Sequence, residues 1–263
     1  FTVHYDALVL SPGASPIRPP IPGGERGLTL RDVEDLDRIS GSAGTARSAV
    51  IVGGGFVGLE VAENLRERGL AVTIVELAPQ VLAPIDPEMV VYVHDELLAH
   101  GIELRLGRSV AELTPTAAIL DDGESIDADL VVFAIGVRPE TTLARAAGLE
   151  IGDRGGIVVD ESLRTSDAHI WAVGDATEKS DSVLGGASLV PLANLANRQG
   201  RRAADAIVGK PRPFASTHSA AVVRVFGAAR PHHAYLFANR RANRLKVLVH
   251  DGIGVWLAAR RLN

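Results

Sequence analysis

The hexapeptide Gly53-Gly54-Gly55-Phe56-Val57-Gly58 lies between an apolar run, residues 48–53, and a stretch, residues 56–69, in which Val57, Val61 and Leu65 recur at i, i+4 and i+8. A GxGxxG at the joint of a strand and a helix allows few folds. Gly53 permits the tight turn, Gly55 leaves room for backbone to approach a pyrophosphate, and Gly58 lets the helix pack close to the strand. The first turn of such a helix offers free N–H groups and a partial positive charge to phosphates. The motif alone is weak, because glycines also serve strand–helix packing. Here residues 71–75 read as the next strand and Glu76 ends it, 21 residues after Gly55, where an acid accepts hydrogen bonds from ribose hydroxyls. A carboxylate there repels a 2′-phosphate, and no Arg follows in Leu77-Ala78-Pro79, so the pattern favours NAD(H) over NADP(H).

The rest of the chain extends this pattern. Residues 4–10 read as a short buried strand, followed by a turn at Ser11-Pro12-Gly13-Ala14 and a Pro/Gly-rich connector through Gly27. A polar helix is expected over 31–40, with Val33, Leu36 and Ile39 on one face, and an amphipathic helix over 87–100 with Gly101 as its stop. Short strands are expected at 102–106, 109–113, 117–120 and 130–133, two more within 155–175, a helix over 192–208 ended by Gly209, and a strand at 220–226. Alternating strands and helices imply parallel pairing with right-handed crossovers.

Composition removes other classes. The 263 residues are 46% hydrophobic with a net charge of −5, enough apolar content to form a core. There is no cysteine, which excludes disulfides, zinc–thiolate sites and thiol nucleophiles within this chain. No run of 18 apolar residues suggests a transmembrane helix, no signal peptide is apparent, and a cytoplasmic location is expected. Aromatic residues are only 4%, against a stacking platform for nucleic acid. His94 and His100, on the helix at 87–100, read as surface residues without ligand spacing, so no metal is expected. Phe1 at the start and Met89 as the lone methionine suggest the tail of something longer. Residues 229–263 hold seven Lys and Arg and one acid, Asp251, so this segment carries +6 and the remainder −11, a step that marks a candidate boundary.

Four further segments carry a family resemblance. Tyr5 to Ala14 resembles the strand and turn that close the first flavin segment of the flavin-dependent pyridine nucleotide-disulfide oxidoreductases, with Ser11-Pro12 in place of Ala-Thr. Ala134-Ile135-Gly136-Val137-Arg138-Pro139 resembles their second glycine turn near the nicotinamide. Ile170-Trp171-Ala172-Val173-Gly174-Asp175 is similar to their second flavin motif, and Val190-Pro191-Leu192-Ala193-Asn194 with Asn197-Arg198-Gln199-Gly200-Arg201 to the segment beside the flavin ring. The closest branch holds NADH oxidase, NADH peroxidase and coenzyme A-disulfide reductase, and the resemblance runs from about Tyr5 to about Gly227.

The resemblance implies an NAD site of Gly53, Gly55, Phe56, Val57, Gly58, Glu60, Glu76 and Gly136, and an FAD site of Ser11, Gly13, Gly174, Asp175, Leu192, Ala193 and Asn194. Asp175 would accept from the ribityl chain, or serve as an N-cap or turn residue. Glu60 would lie near the nicotinamide, or be a surface charge with an Arg or Lys at i+4. Phe56 would cover the flavin, or pack. Arg198 and Arg201 read as surface helix charges. The family's first flavin glycine motif, its adenosine acid and its redox cysteine are not in this sequence, so no catalytic residue is assigned. Residues 233–263 are similar to a small accessory protein of one family of bacterial insertion sequences: an aromatic strand, an Arg-rich turn, a Leu-Lys-Val-Leu strand, an Asp251-Gly252 turn and a strand ending in basic residues.

The expected fold is α/β: a Rossmann-like three-layer NAD(P)-binding domain with remnants of a discontinuous FAD-binding domain and a short antiparallel β tail. The divisions are 1–29 for the first flavin segment and connector, 30–145 for the NAD(P) domain and 146–210 for the second flavin segment. Residues 211–228 start an interface domain and 229–263 are the basic tail. The expected activity is hydride transfer from NADH to flavin and on to a thiol, disulfide, peroxide or oxygen. A truncated, inactive NAD-binding fragment and a nucleic-acid-associated hybrid led by the tail are the alternatives. The expected partners are nicotinamide dinucleotide and flavin, with no membrane and no nucleic acid, and the parent family implies a homodimer.

Overall fold

The computed structural model describes residues 1–180 and 186–214 and, as backbone alone, the strands Ala234–Ala238, Arg244–His250 and Val255–Arg261. Among the described residues up to 214 the chain forms two compact units, one of Pro16–Gly136 and one of Phe1–Ser15 with the residues from Val137 onward.

In the first unit a five-stranded sheet has order β1-β8-β2-β3-β4, every pair parallel. Its strands are β1 (Leu28–Thr29), β2 (Ser48–Val52), β3 (Ala71–Glu76), β4 (Ile102–Leu106) and β8 (Leu130–Phe133). Between them run α1 (Val33–Ala43), α2 (Phe56–Glu67) and α3 (Pro87–Ala99). The period of two in a strand decides the layering. Ala49, Ile51, Val72, Ile74, Leu130 and Val132 point to one face and pack with Ile39 of α1, Leu59, Ala62 and Leu65 of α2, and Val90 and Leu97 of α3. The alternate residues, Val50, Val52, Val75, Val131 and Phe133, point to the other face. There they meet an antiparallel meander of β5 (Val110–Leu113), β6 (Ala117–Leu120) and β7 (Ser125–Asp127). The unit is therefore three layers: helices, parallel sheet, antiparallel meander. The partly buried Arg26 joins the connector to that third layer, its guanidinium donating to the carbonyls of Thr114 and Ala128.

The parallel pairing expected from alternating strands and helices holds for the five-stranded sheet, while the strands at 109–120, with no helix between them, pair differently. Thr114 to Thr116 give too short a connection for a crossover, so the chain reverses and β5 and β6 pair antiparallel. The helix expected at 31–40 runs Val33–Ala43, starting from Asp32, whose carboxylate accepts the Asp35 N–H at 2.9 Å. Its inner face is Asp35, Ile39 and Ala43; Val33 and Leu36 are exposed.

In the second unit Leu8–Leu10 pairs parallel with Ile170–Ala172. The expected strand over 4–10 is thus confined to its last three residues, and His4 and Tyr5 are exposed. Ile157–Val158 and Ile170–Ala172, the two strands within 155–175, do not pair with each other; Ile157–Val158 pairs with Thr177–Ser180. The last helix of this unit, α4, is Ala193–Ile207. The three tail strands pair antiparallel in sequence order, as the alternation predicted; the strand expected at 220–226 and the Asp251-Gly252 turn lie outside the described residues.

Leu97 is fully buried between α3 and the sheet. Leu97→Ala is expected to destabilise the first unit by about 3 kcal/mol, read from the midpoint shift in urea unfolding at unchanged slope.

Candidate functional site

The GxGxxG turn sits at the carboxyl ends of three parallel strands. The Gly53 N–H donates to Val75 O at 2.8 Å and the Ala134 N–H donates to Val52 O at 2.7 Å, which fixes the turn between β3 and β8. Gly53 has φ +111°, and a Cβ there would lie 2.5 Å from the Ala134 carbonyl oxygen. A Cβ on Gly58 would overlap the Gly53 carbonyl, so α2 packs against the turn as only a glycine permits. At Gly55 an added Cβ would meet nothing within 4 Å. Two glycines are thus demanded by the fold, and the third opens onto free space at the start of α2. No side chain caps α2, whose N-cap is Gly55, so the first N–H groups lack intrahelical acceptors. A helix start of this kind suits an anion.

Glu76 closes the turn from the next strand. Its Oε2 accepts the Gly54 N–H at 2.6 Å and its Oε1 accepts the Ala78 N–H at 2.7 Å. The half-buried carboxylate is already oriented by two backbone donors, and each oxygen keeps a lone pair. The segment after it folds back: the Leu82 N–H donates to Gly54 O at 2.8 Å, and Val81 is fully buried against Gly54. The sequence spacing located this carboxylate; its bond to Gly54 N–H carries no sequence signal.

Phe56, Val57, Glu60 and Gly136 are all exposed. The inner face of α2 is Gly58, Leu59, Val61, Ala62 and Leu65, so Val57 faces out, unlike its expected partners Val61 and Leu65. Glu60 has Asn64 at i+4, whose amide donates to the Glu60 carbonyl at 2.8 Å, and the Arg or Lys pair expected there is absent. Gly136 has φ +101° and its carbonyl accepts the Ile17 N–H at 3.0 Å.

The second set lies in the other unit. Ser11 is exposed, and Gly13, with φ +73°, accepts the Glu140 N–H at 2.9 Å. Gly174-Asp175-Ala176 forms a single 3-10 turn after Ile170–Ala172, whose N-cap is Val173 rather than Asp175. No hydrogen bond reaches the Asp175 carboxylate among the described residues, and partial burial pushes this carboxyl above the ordinary range. Gln199, 2% exposed on α4, was quoted only as part of a motif; its Oε1 accepts the Gly174 N–H at 2.6 Å. Its signal is a polar residue in register with buried Leu195 and Ala203 at i−4 and i+4. Leu192 is the N-cap of α4 without a side-chain cap, and Leu192, Ala193 and Asn194 are exposed.

One other reading changes. His94 is half-buried: its Nε2 accepts the Val81 N–H at 3.3 Å, and burial lowers its basicity. Arg198 is exposed but lies over the ring of Phe214 at 5.5 Å. Lys179, unremarked in the sequence, donates to Phe214 O at 2.6 Å and is pushed down to about 8 by burial. His100 is exposed as expected and pairs with Glu96. Among the described residues no group of three His, Asp or Glu side chains could hold a metal, and no helix is long and apolar enough to cross a membrane.

Residues 1–200 match the family described as pyridine nucleotide-disulphide oxidoreductase, and residues 216–263 match IS66 Orf2 like protein. An NADH oxidase of Methanocaldococcus jannaschii is 37% identical over 235 residues, 86% of this chain and 52% of that protein. The reduced Bacillus anthracis CoADR-RHD is 39% identical with a TM-score of 0.83, over 97% of this chain and 52% of the other. An NAD-dependent persulfide reductase from A. fulgidus is 31% identical with a TM-score of 0.83, over 99% of this chain and 55% of the other. The chain spans about half the length of the curated NADH oxidase, and a fifth of a curated nitrite reductase large subunit from Klebsiella oxytoca.

A raised carboxyl pKa means that the fold disfavours the ionised form, so Asp175 lowers stability once pH rises through its folded value. Asp175→Asn is expected to raise Tm at neutral pH, with the gain shrinking as the pH falls below about 3, where the carboxyl is protonated in both states. Equal Tm values across that range would count against the assignment.

Proposed function

This chain belongs to the pyridine nucleotide-disulphide oxidoreductase family, and on that premise we propose that it binds a nicotinamide dinucleotide at the 53–58 turn as the nucleotide half of a flavin oxidoreductase. Members of the family use FAD and NAD(P)H. In this reading 30–145 is the NAD(P) domain, and 1–29 with 146–210 are flavin segments. The reading is carried by the 2.6 Å bond from Gly54 N–H to Glu76 Oε2. It places an oriented carboxylate beside a turn whose Gly55 opens onto free space.

The chemistry of each group follows from its place. The uncapped N–H groups of α2 would take the pyrophosphate, whose charge the helix dipole favours. Glu76, its carboxylate fixed by Gly54 and Ala78, would accept from the ribose hydroxyls with its remaining lone pairs. Its negative charge disfavours a 2′-phosphate, which supports NAD(H) over NADP(H). Glu60 and Gly136, both exposed, are the residues proposed toward the nicotinamide, and the exposed Phe56 and Val57 complete the proposed NAD set.

The residues of the second unit fit part of a flavin. Asp175 is a partly buried carboxylate without a donor among the described residues, as an acceptor for ribityl hydroxyls would be. The uncapped start of α4, with Leu192, Ala193 and Asn194, supplies a positive dipole end suited to a reduced ring. Ser11 and Gly13 complete the proposed set. FAD, when bound, accepts the hydride of NADH and passes electrons on. With no cysteine in the sequence, a thiol or disulfide step has no residue here, so the electron acceptor and the homodimer belong to the proposal for a larger assembly.

Calorimetric titration of the chain with NADH and NADPH tests the reading. NADH is expected to bind, and NADPH to bind at least about tenfold more weakly. Glu76→Ala should weaken NADH by about tenfold or more, as for loss of charge-assisted hydrogen bonds, and narrow the gap to NADPH. No heat with NADH at millimolar concentration would end the proposal. NADH oxidation on adding FAD would separate an active module from a nucleotide-binding one.

A further inference from the structure

The segment that follows Glu76 is held from two sides. On one side Leu82 N–H donates to Gly54 O at 2.8 Å, and the fully buried side chain of Val81 packs against Gly54. On the other side, α3 supplies His94, whose Nε2 stands 3.3 Å from the Val81 N–H. A backbone N–H can only donate, so His94 Nε2 must carry a free lone pair. The imidazole is therefore neutral, with its proton on Nδ1. A protonated ring has a donor at both nitrogens and would turn an N–H against the Val81 N–H.

We propose that His94 is a positioning residue for the dinucleotide turn: its neutral ring holds Val81 and Leu82 against Gly54, and protonation releases that hold. This rests on the dinucleotide reading of the 53–58 turn. The route is short and contiguous. His94 fixes Val81 N–H, the adjacent Leu82 N–H fixes Gly54 O, and Gly54 N–H fixes the Glu76 carboxylate. The residue never touches the nucleotide; it acts through the two backbone bonds on either side of Gly54.

The electrostatic surroundings suit such a switch. The packed segment 77–85, Leu-Ala-Pro-Gln-Val-Leu-Ala-Pro-Ile, carries no charged side chain. The β4 residues on the α3 face are the apolar Ile102, Leu104 and Leu106, while Arg105 on the opposite face pairs with Glu103 at 3.1 Å and with Glu124 at 2.9 Å. Asp95, next on α3, is the charged neighbour that acts on the ring, and it favours the protonated form; burial acts more strongly the other way. The balance keeps the ring neutral at physiological pH, with its proton uptake confined to acid pH.

The test measures the affinity of the full chain for ADP-ribose, which needs no flavin, between pH 4.5 and 8 for wild type, His94→Gln and His94→Leu. Gln can present an amide oxygen to Val81 N–H without titrating. Wild-type affinity is expected to fall several-fold on acidification through the His94 transition. His94→Gln should remove that component, and His94→Leu should bind several-fold more weakly at neutral pH. Superimposable pH profiles for wild type and His94→Gln, or wild-type affinity in His94→Leu, would overturn the role. Amide exchange at Val81 and Leu82 gives a ligand-free readout: protection should drop with acid in wild type and stay level in His94→Gln. If ADP-ribose fails to bind wild type at every pH, the dinucleotide reading falls. The exchange data then still decide whether His94 holds the segment, equal protection profiles overturning that hold.

Discussion

The approach of α2 to the end of β2 governs the architecture of the first unit. It depends on the absence of two β-carbons. A side chain at Gly58 would strike the Gly53 carbonyl, and one at Gly53 would strike the Ala134 carbonyl. With both gone, the helix starts directly over the strand ends and its inner face reaches Ala49, Ile51 and Ile74 on the sheet. That same close packing leaves the first N–H groups of α2 at the carboxyl edge of a parallel sheet, where strand order places ligands in folds of this class. Core and candidate site therefore arise from one constraint.

The second unit repeats the device with different chemistry. After Ile170–Ala172 the chain turns at Gly174, and the Gly174 N–H is taken by Gln199 from α4 at 2.6 Å. After β2 the chain turns through Gly54, and the Gly54 N–H is taken by Glu76 from β3 at 2.6 Å. In both cases a side chain from the next packed element fixes a glycine N–H in a turn that follows a parallel strand. The acceptor is charged in one and neutral in the other. Gln199 must sit in a site 2% exposed, where an unpaired carboxylate would carry a heavy desolvation cost. Glu76 is only half-buried and is held by two backbone donors.

Much of this was legible in the sequence because it rests on periodicity and glycine. The order of β2, α2, β3, α3 and β4 follows from apolar spacing, and Glu76 from its distance to Gly55. What was not legible depends on partners remote in the chain. The pairing of the short strands at 110–120 was not specified, because such strands have the same composition in either pairing and only the brevity of the connection at Thr114 to Thr116 makes them antiparallel. The inner face of α1 shifted because Asp35, a charged residue, occupies a buried position, where it accepts the Arg31 N–H and meets the Arg38 guanidinium. His94 looked like surface because nothing in its helix shows that the segment at 80–82 folds over it. Of the strand expected over 4–10, Leu8–Leu10 pairs with Ile170–Ala172, while residues 4–7 lack a pairing partner among the described strands.

The two candidate carboxylates differ in how the fold treats them, and the difference separates holding a shape from holding a ligand. Glu76 has two backbone donors and therefore contributes to the turn whether or not a nucleotide is present. Its loss would cost shape as well as affinity. Asp175 is partly buried without a donor among the described residues, an arrangement that costs stability. A group retained under those terms, at the end of a strand and next to a glycine turn fixed by Gln199, is best explained by a donor that comes from outside the protein. Binding there would supply the hydrogen bonds that the chain withholds, and would return the carboxyl toward the ordinary range. Under the flavin reading, binding at Asp175 would stabilise the second unit, whereas the Glu76 carboxylate is oriented by backbone before any ligand arrives.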